Sequence, residues 1–385
     1  MRGPAAARTA YLDHAATTPI APAALEALVR AERETFANPS GAHRLARAAR
    51  RSLDEARQRV ARLVGREPED VVFTSGGSEA DNLAVAGVEA SGAALVVSAI
   101  EHRAVLRPAS RRDARTVPAR PDGVVDLDAL AESLHPGVRL VSVMAVNNEL
   151  GTIQPVAEVV ALVRELAPEA LVHTDAVQAF AWLDLPAVLG GCDLVSLSAH
   201  KFGGPKGIGA LIASRRARAA LRPLLLGGGQ ESALRAGTQN VAGAVAMAAA
   251  AEATAASRAE TAARVRALRD RLEDGLVAAV AGLRPSVPRS LRVPGACPLL
   301  VEGVEGEELL LALDARGVAA SIGSSCASGA HEESHVLAAI GLAPSQARGA
   351  LRLSLGAASR PEEIDHALEA IPRAVAQLRA GGLGD

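Results

Sequence analysis

The stretch DLVSLSAHKFGGPKG, residues 193–207, joins a short apolar run to a glycine-rich turn that carries two lysines. Further runs rich in Val, Leu and Ile lie between residues 71 and 214, and helix-like patterns separate most of them. This alternation predicts βα units that feed a mostly parallel sheet, and hence an α/β fold. The predicted strands are residues 71–74, 94–99, 139–146, 170–176, 193–199 and 208–214.

The helices of this region are predicted from their starts. The patterns SEADNLAVAGVEA and PVAEVVALVREL begin at Ser78 and Pro155, a capping residue and a first-turn proline. Beyond residue 240 an amphipathic stretch rich in Arg and Ala runs to about Leu283, and shorter strand and helix signals follow. We therefore expect a large α/β domain and a second, smaller α+β domain.

The composition argues against several classes of function. A net charge of −2 and 2% aromatic residues give neither a basic field for nucleic acid nor many rings for base stacking. The longest apolar runs are alanine-rich and interrupted by charge, well short of the roughly 20 residues of a membrane span. The start MRGPAAARTA lacks the apolar core of a signal peptide, and three widely spaced cysteines predict no disulfide framework. The expected location is the cytoplasm.

Lys201 and Lys206 are the only lysines of the chain, which otherwise uses arginine for its basic side chains. A lysine is ordinarily a solvated surface charge, but arginine does that work elsewhere in this sequence. A guanidinium stays protonated and cannot form an imine, whereas a lysine amine can lose its proton and attack a carbonyl. Lys201 also directly follows a predicted strand, and ligands of open α/β sheets bind at the carboxyl ends of strands. The pattern therefore favours Schiff-base chemistry at Lys201.

A lysine that holds an aldehyde cofactor needs a phosphate cradle and a carboxylate for a pyridinium nitrogen. In TSGGSEADN (74–82), Gly76, Gly77 and Ser78 lie between a predicted strand and a helix, where free N–H groups and the helix dipole favour a phosphate. In LVHTDAVQ (171–178), Asp175 ends a predicted strand and Gln178 follows. Singly, such residues are more often helix or turn caps. Their joint occurrence at strand ends favours a cofactor site.

Motifs along nearly the whole chain resemble those of the pyridoxal-phosphate-dependent cysteine desulfurases of the NifS and IscS type. In chain order they are YLDHAATTP (11–19), NPSGAH (38–43), FTSGGSEADN (73–82), EH (101–102), VNNELG (146–151), HTDAVQ (173–178), SAHKFGGPKGIGAL (198–211), GGGQESALRAGT (227–238), GSSCASG (323–329) and LRLSLG (351–356). The resemblance implies fold type I, the aspartate-aminotransferase-like fold. It also implies a large domain of residues 14–259 and a small domain of residues 1–13 and 260–385.

The activity implied by this resemblance is the removal of sulfur from L-cysteine. The products are L-alanine and a persulfide whose sulfur passes to an acceptor protein, for iron–sulfur cluster assembly or for thiolation of a cofactor or tRNA. The family also implies a homodimer. The motif SGGSE departs from the usual SGATE, but Ser78 keeps the hydroxyl group.

The resemblance further implies roles for single residues. Lys201 is the Schiff-base lysine, Asp175 pairs with the pyridine nitrogen, and His102 stacks on the ring and manages the proton of the catalytic thiol. The other implied cofactor contacts are Gly77, Ser78, Gln178, Ser198 and His200, with Thr238 from the second subunit. The implied substrate-binding residues are Asn38, Asn148 and Arg352, the last as a bidentate clamp on the substrate carboxylate.

Cys326 differs from the other two cysteines in its surroundings. A lone cysteine is more often a small buried hydrophobe, which suits Cys192 and Cys297 beside apolar runs. Small polar residues and glycines surround Cys326, a composition typical of a mobile, exposed loop. The resemblance implies that this loop, about residues 321–334, carries the nucleophile. Its thiolate attacks the substrate sulfur.

Three alternatives compete with this interpretation. The segment HEESH (331–335) matches the HExxH pattern of zinc proteases, but it follows a loop, so its helix is expected to start inside the motif. A zinc hydrolase is thus a remote alternative, and no metal is predicted. A non-catalytic scaffold conflicts with the intact Lys201, Asp175 and Cys326. A selenocysteine lyase is the nearer alternative, yet the spacing from Cys326 to SHVL favours the IscS/NifS subgroup.

Overall fold

The six predicted strands and one further strand form a seven-stranded sheet in the computed structural model, which describes residues 9–88, 94–112, 114–322 and 333–381. The strands of these residues are β1 (Ala10–Tyr11), β2 (Val71–Thr74), β3 (Ala94–Ser98), β4 (Arg115–Val117), β5 (Val138–Ser142), β6 (Leu171–Asp175), β7 (Leu194–Ser198), β8 (Gly209–Ala213), β9 (Leu283–Pro285), β10 (Ala296–Val301), β11 (Val318–Ala319) and β12 (Ala350–Ser354). The order in the large sheet is β2-β8-β7-β6-β5-β3-β4, and only β8 is antiparallel to its neighbours. This mixed, mostly parallel sheet confirms the predicted fold class.

Helices cover both faces of this sheet. The α-helices of the described residues are α1 (Pro22–Glu34), α2 (Arg44–Leu63), α3 (Gly77–Ala86), α4 (Arg103–Ser110), α5 (Leu127–Ser133), α6 (Val156–Leu166), α7 (Leu185–Val188), α8 (Arg215–Ala220), α9 (Val241–Ala279), α10 (Gly306–Asp314), α11 (His335–Ala339), α12 (Pro344–Ala347) and α13 (Pro361–Arg379). Side chains alternate along a strand, so Val71 and Phe73 pack with α2, α6 and α9, whereas Val72 packs with α3 and α4. Burial on both faces explains why the strands are continuous apolar runs.

A second group of elements has its own hydrophobic core. It contains the antiparallel sheet β12-β10-β9, the short parallel pair β1 and β11, and helices α10 and α13. The 39-residue helix α9 joins the two groups, and it passes through residue 259 without a break. The domain boundary at residues 259 and 260 therefore falls inside a continuous helix, and it stays a prediction.

Two strand predictions differ from the structure. The run 139–146 leaves the sheet after Ser142, because the chain turns at Asn147, whose side-chain oxygen accepts the N–H groups of Glu149 and Leu150. Strand β4 was not predicted, since two of its three residues are exposed and carry no apolar pattern.

Both predicted helix starts move by one residue. Helix α3 begins at Gly77, one residue before Ser78, and α6 begins after Pro155, which is its N-cap residue. In the part of the chain that the structure describes, no helix is both long enough and apolar enough to cross a membrane.

Candidate active site

A cavity of about 320 Å³ lies at the carboxyl edge of the large sheet. Its walls come from the segments that follow β2, β3, β5, β6 and β7, as expected for an open α/β sheet. The predicted site residues that line it are Gly77, Ser78, His102, Asn148, Asp175, Gln178, Ser198, His200, Lys201 and Arg352. The structure thus brings ten sequence-predicted residues into one space.

The turn from β2 to α3 leaves no room for a side chain at Gly77. A Cβ atom on Gly77 would lie 2.7 Å from Cγ2 of Val177 and 3.3 Å from Cβ of Ser198. The first N–H groups of α3 have no partner within the helix, and the helix dipole adds positive potential at this end. Backbone donors at a crowded helix start, beside Ser198 and His200, suit the phosphate group of the cofactor that the motifs imply.

Asp175 is the last residue of β6 and is only 5% exposed. Its Oδ1 accepts the N–H of Val177 at 2.8 Å. Burial raises the pKa of this carboxyl group, while Lys201 and the protonated form of His102 oppose the rise. A protonated ring nitrogen placed against Asp175 would stabilise the carboxylate further, so the site fits a pyridinium ring.

His102 precedes α4 and caps it. Its Nδ1 accepts the N–H of Ala104 at 3.1 Å, which places the hydrogen of the neutral imidazole on Nε2. Burial lowers the pKa of His102, with Asp175 opposing and with Lys201, His335 and Arg103 lowering it further. The ring is therefore held as a neutral imidazole whose orientation is set by the helix start.

Lys201 ends a short 3₁₀ turn that follows β7. Its Nζ donates to the carbonyl oxygens of Ala15 at 2.5 Å and Ala16 at 2.9 Å, and Nε2 of Gln178 donates to Ala15 at 2.8 Å. These two hydrogen bonds hold the Lys201 amine at the cavity wall. Because the carbonyl groups carry no charge, the amine can leave them at a low energetic cost. His200 contacts Thr17 Oγ1 at 3.0 Å, and burial lowers its pKa to about 4.

Arg352 reaches the cavity from β12, in the second group of elements. Its Nη2 lies 2.8 Å from Oδ1 of Asp13 and its Nη1 donates to the carbonyl oxygen of Asn148 at 3.1 Å. Among the described residues its buried Nε has no hydrogen-bond partner. A guanidinium with a buried, unused donor suits the carboxylate of a small substrate.

Two of the predicted residues that the structure describes do not line this cavity. Asn38 and Thr238 are exposed, and Oδ1 of Asn38 accepts the N–H of Ser40 at 3.0 Å within its own turn. Cys326 lies outside the described residues. The roles predicted for all site residues stay predictions.

Two buried acids that the sequence analysis did not single out lie at the cavity, and one of them, Asp81, lines it. Asp81 and Glu101 are 1% and 0% exposed, and Asp81 Oδ1 and Glu101 Oε2 have no hydrogen-bond partner within the described chain. Burial raises the pKa of both groups well above their usual range, and the Asp175 charge adds to the rise. One sequence signal could have identified Asp81: it is a carboxylate four residues after Gly77, on the face of α3 that packs against the sheet.

The zinc alternative finds no support in the described residues. No group of three or more His, Cys, Asp or Glu side chains among them is arranged to hold a metal ion. His331 and Glu332 lie outside those residues. His335 begins α11, so the helix does start inside the HEESH motif, and its Nε2 donates to the carbonyl oxygen of Glu101 at 2.9 Å.

Comparison with known proteins agrees with the motifs. A family model described as aminotransferase class-V matches residues 10–367. The IscS-like cysteine desulfurase of Mycobacterium tuberculosis is 42% identical over 390 residues, which cover 97% of this chain and 98% of that protein. A solved NifS-like protein superposes with a TM-score of 0.89 at 34% identity over 96% of this chain and 100% of its own. SspA in complex with cysteine superposes with a TM-score of 0.79 at 32% identity over 91% and 100%. These similarities confirm the resemblance, and the chain belongs to the class-V aminotransferase family.

Proposed function

We propose that this protein is a pyridoxal-phosphate-dependent cysteine desulfurase that converts L-cysteine to L-alanine and keeps the sulfur as a persulfide on Cys326. The observation that carries the proposal is the convergence of Lys201, Asp175 and His102 in one cavity beside the start of α3. The relative of 42% identity is named an IscS-like cysteine desulfurase, and one structural neighbour was solved with cysteine. Both names support L-cysteine as the substrate.

The residues that line the cavity suit each part of the cofactor. Gly77, Ser78, Ser198 and His200 would hold the phosphate, and Lys201 would bind the aldehyde carbon. Asp175 would pair with the ring nitrogen, Gln178 would donate to the ring oxygen, and His102 would lie against the ring. When bound, pyridoxal phosphate supplies an electron sink for the bonds at the substrate α-carbon.

The protein's own residues then bind the substrate and move its protons. Arg352 binds the substrate carboxylate through its free Nε–H together with Asn148. The Lys201 amine moves the α-proton, since a lysine amine in a buried site can exist without its proton.

The sulfur is transferred to Cys326. Its thiolate attacks the substrate sulfur, so an S–S bond forms while the Cβ–S bond breaks. The electron pair stays on the substrate carbon, which takes up a proton to become the methyl group of alanine. His102 is held as a neutral imidazole by burial and is the group that accepts the thiol proton. The persulfide then passes its sulfur to an acceptor protein, for iron–sulfur cluster assembly or for thiolation.

A homodimer belongs to the same proposal. Asn38 and Thr238 are exposed and do not line the cavity of their own chain. Large apolar side chains stand exposed in the neighbouring sequence, with Phe36 at 67% and Leu226 at 84%. An exposed apolar patch of this kind is typical of a protein interface, and a second copy would cover it while bringing Thr238 to the other cavity. We propose a cytoplasmic location.

The function is tested with the purified protein, pyridoxal phosphate and L-cysteine. We expect alanine in the supernatant and an additional sulfur on the Cys326 peptide by mass spectrometry. Cys326→Ala should abolish both. Cys192→Ala is the matched control, because burial raises the pKa of that thiol to about 12 and keeps it protonated. Continued alanine formation by Cys326→Ala, or its loss in Cys192→Ala, contradicts the assignment of the nucleophile.

A further inference from the structure

His335 is a second histidine of the cofactor cavity. It lines the same space as His102, Asp175 and Lys201, although the sequence placed it only in the HEESH motif. Its Nε2 lies 2.9 Å from the carbonyl oxygen of Glu101. A carbonyl only accepts, so Nε2 of His335 carries the hydrogen and donates it.

This hydrogen bond acts on the peptide that presents His102. The carbonyl of Glu101 and the N–H of His102 belong to one planar peptide unit, so fixing one end fixes the other. The Glu101 side chain is fully buried, and its Oε1 accepts the N–H of Met144 at 2.5 Å. Glu101 is therefore held twice, by Met144 at its side chain and by His335 at its main chain. The direction of the His102 Cα–Cβ bond follows from the plane of this peptide.

Ser334 fixes His335 in turn. Its hydroxyl donates to Oε2 of Glu149 and accepts the N–H of Leu337 at 3.2 Å, which makes Ser334 the cap of α11. Ser334 and Glu149 are 6% and 7% exposed, and Glu149 also lines the cavity. Ser334 and His335 thus connect the start of α11 to Glu149 and Glu101, which precede or follow Asn148 and His102 in the chain.

His335 also interacts with His102 through charge. Four charged or titratable groups face His102: Asp175 at the end of β6, Lys201 after β7, Arg103 on α4 and His335 on α11. Burial is the main reason for the lowered pKa of His102, and a protonated His335 lowers it further, because two cationic imidazoles repel each other.

We propose that His335 is a positioning residue of this active site: it holds the Glu101–His102 peptide through its Nε2–H and so orients the His102 ring against the cofactor. The inference deepens the proposed function and rests on it. It assigns a role to a histidine that the desulfurase mechanism above does not use.

The test separates the hydrogen bond from the charge. His335→Leu removes both, whereas His335→Gln removes the charge but keeps an N–H donor of similar reach. His366→Leu is the matched control, since Nε2 of His366 donates to the carbonyl oxygen of Arg316 at 2.7 Å, half-buried and away from the cavity. The first measurement is the dissociation constant for pyridoxal phosphate. The second is the titration of His102 in the cofactor-free protein, followed by NMR with carbon-13-labelled histidine.

We expect His335→Leu to weaken cofactor binding by about tenfold, the worth of one well-placed hydrogen bond. His335→Gln should recover most of that loss, and His366→Leu should bind like the unmodified protein. The pKa of His102 should rise in both His335 variants. Unchanged cofactor affinity in His335→Leu, or an unchanged His102 titration in either variant, overturns the inference.

Two further outcomes keep the result decisive. If His335→Leu does not fold, the cofactor affinity of His335→Asn decides, because its shorter amide does not reach the carbonyl oxygen of Glu101. Failure of the proposed function looks different: the unmodified protein would then bind no pyridoxal phosphate, whereas the titration of His102 needs no cofactor.

Discussion

His173 shows how strongly the pKa of a single buried residue can depend on its surroundings. It is 0% exposed, its Nδ1 lies 2.8 Å from Oγ of Ser142, and its Nε2 lies 3.0 Å from Oγ of Ser196. Burial lowers the pKa of His173 to about 3. The imidazole is therefore a neutral polar bridge under the cavity, two residues before Asp175.

This lowered pKa predicts a pH-dependent stability. As the pH falls below about 6.5, the unfolded chain takes up the proton first, so the contribution of His173 is complete above that pH and is lost toward pH 3. At pH 4.5 the loss is about 2–3 kcal/mol. In His173→Gln the free energy of unfolding should therefore change less between pH 7 and pH 4.5, by about this amount, as measured by urea denaturation.

His135→Gln is the control for this experiment, since His135 is exposed. The buried acids Asp81 and Glu101 have raised pKa values and act in the opposite direction, but they are present in every variant. Equal pH dependence of the two variants would show that the imidazole of His173 is not desolvated as the structure indicates.

At this scale the sequence predicted the residues that have unusual chemistry for their position. Lys201 stood out because the chain otherwise avoids lysine, and Asp175 because it ends a strand. Glu101 and His335 did not stand out, although both contact the site. Their importance lies in burial and in one main-chain hydrogen bond, which arise only when β3 and α11 meet in three dimensions.

Among the elements, the reversed strand β8 supports the turn from β2 to α3, the proposed phosphate cradle. It pairs with both β2 and β7, and its first residue, Gly209, lies opposite Thr74 and Ser198. A Cβ atom on Gly209 would lie 2.5 Å from the carbonyl oxygen of Leu197 and 2.7 Å from Cα of Gly76. Backbone atoms cannot rotate away as a side chain can. The absence of a Cβ atom at Gly209 therefore allows the Gly76 turn to pack directly against the sheet.

Gly209→Ala should accordingly push the Gly76 turn out of place. We expect weaker pyridoxal phosphate binding and a free energy of unfolding lower by about 1–3 kcal/mol, as for an overpacked core. Gly190→Ala is the control, because a Cβ there would meet only the carbonyl oxygen of Pro186 at 3.9 Å. Equal behaviour of both variants, in a fluorescence titration with cofactor and in thermal unfolding, would contradict this account of the cradle.

Strand and helix positions were mostly predictable because their patterns are local. Apolar runs flanked by glycine, proline and polar residues placed six strands to within a few residues. The predicted end of β5 was wrong. The N–H groups of Val143 and Ala145 still donate to the end of β6, so the strand-like apolar pattern continues beyond Ser142. What stops the strand is the turn at Asn147, a local hydrogen-bonded turn with no signal in hydrophobicity.

For the whole molecule, the exposed apolar residues predict association. Leu226 is 84% exposed and follows two further exposed leucines, Leu224 and Leu225. Leu226→Glu should raise the dissociation constant of the proposed homodimer at least tenfold, because a charge at a buried interface loses its hydration. Leu311 on α10 is 67% exposed and isolated from that run, so Leu311→Glu should leave association unchanged.

Sedimentation velocity over a range of concentrations measures both variants. A monomeric unmodified protein, or equal dissociation of the two variants, would contradict the assignment of this surface. The sequence alone predicted a dimer only through the family resemblance. Exposure of three consecutive leucines is a property of the folded chain, because the same letters in a strand would be buried.

Helix α9 has a mechanical consequence for the whole chain. Its 39 residues form a rod of about 58 Å, and its two ends are embedded in different cores: Val241 and Met247 in the first, Leu272 and Leu276 in the second. Neither part can be excised cleanly, since every cut leaves a length of apolar helix without its cover. Helix α9 therefore makes the two groups of elements one folding unit, and neither group is retained without the other.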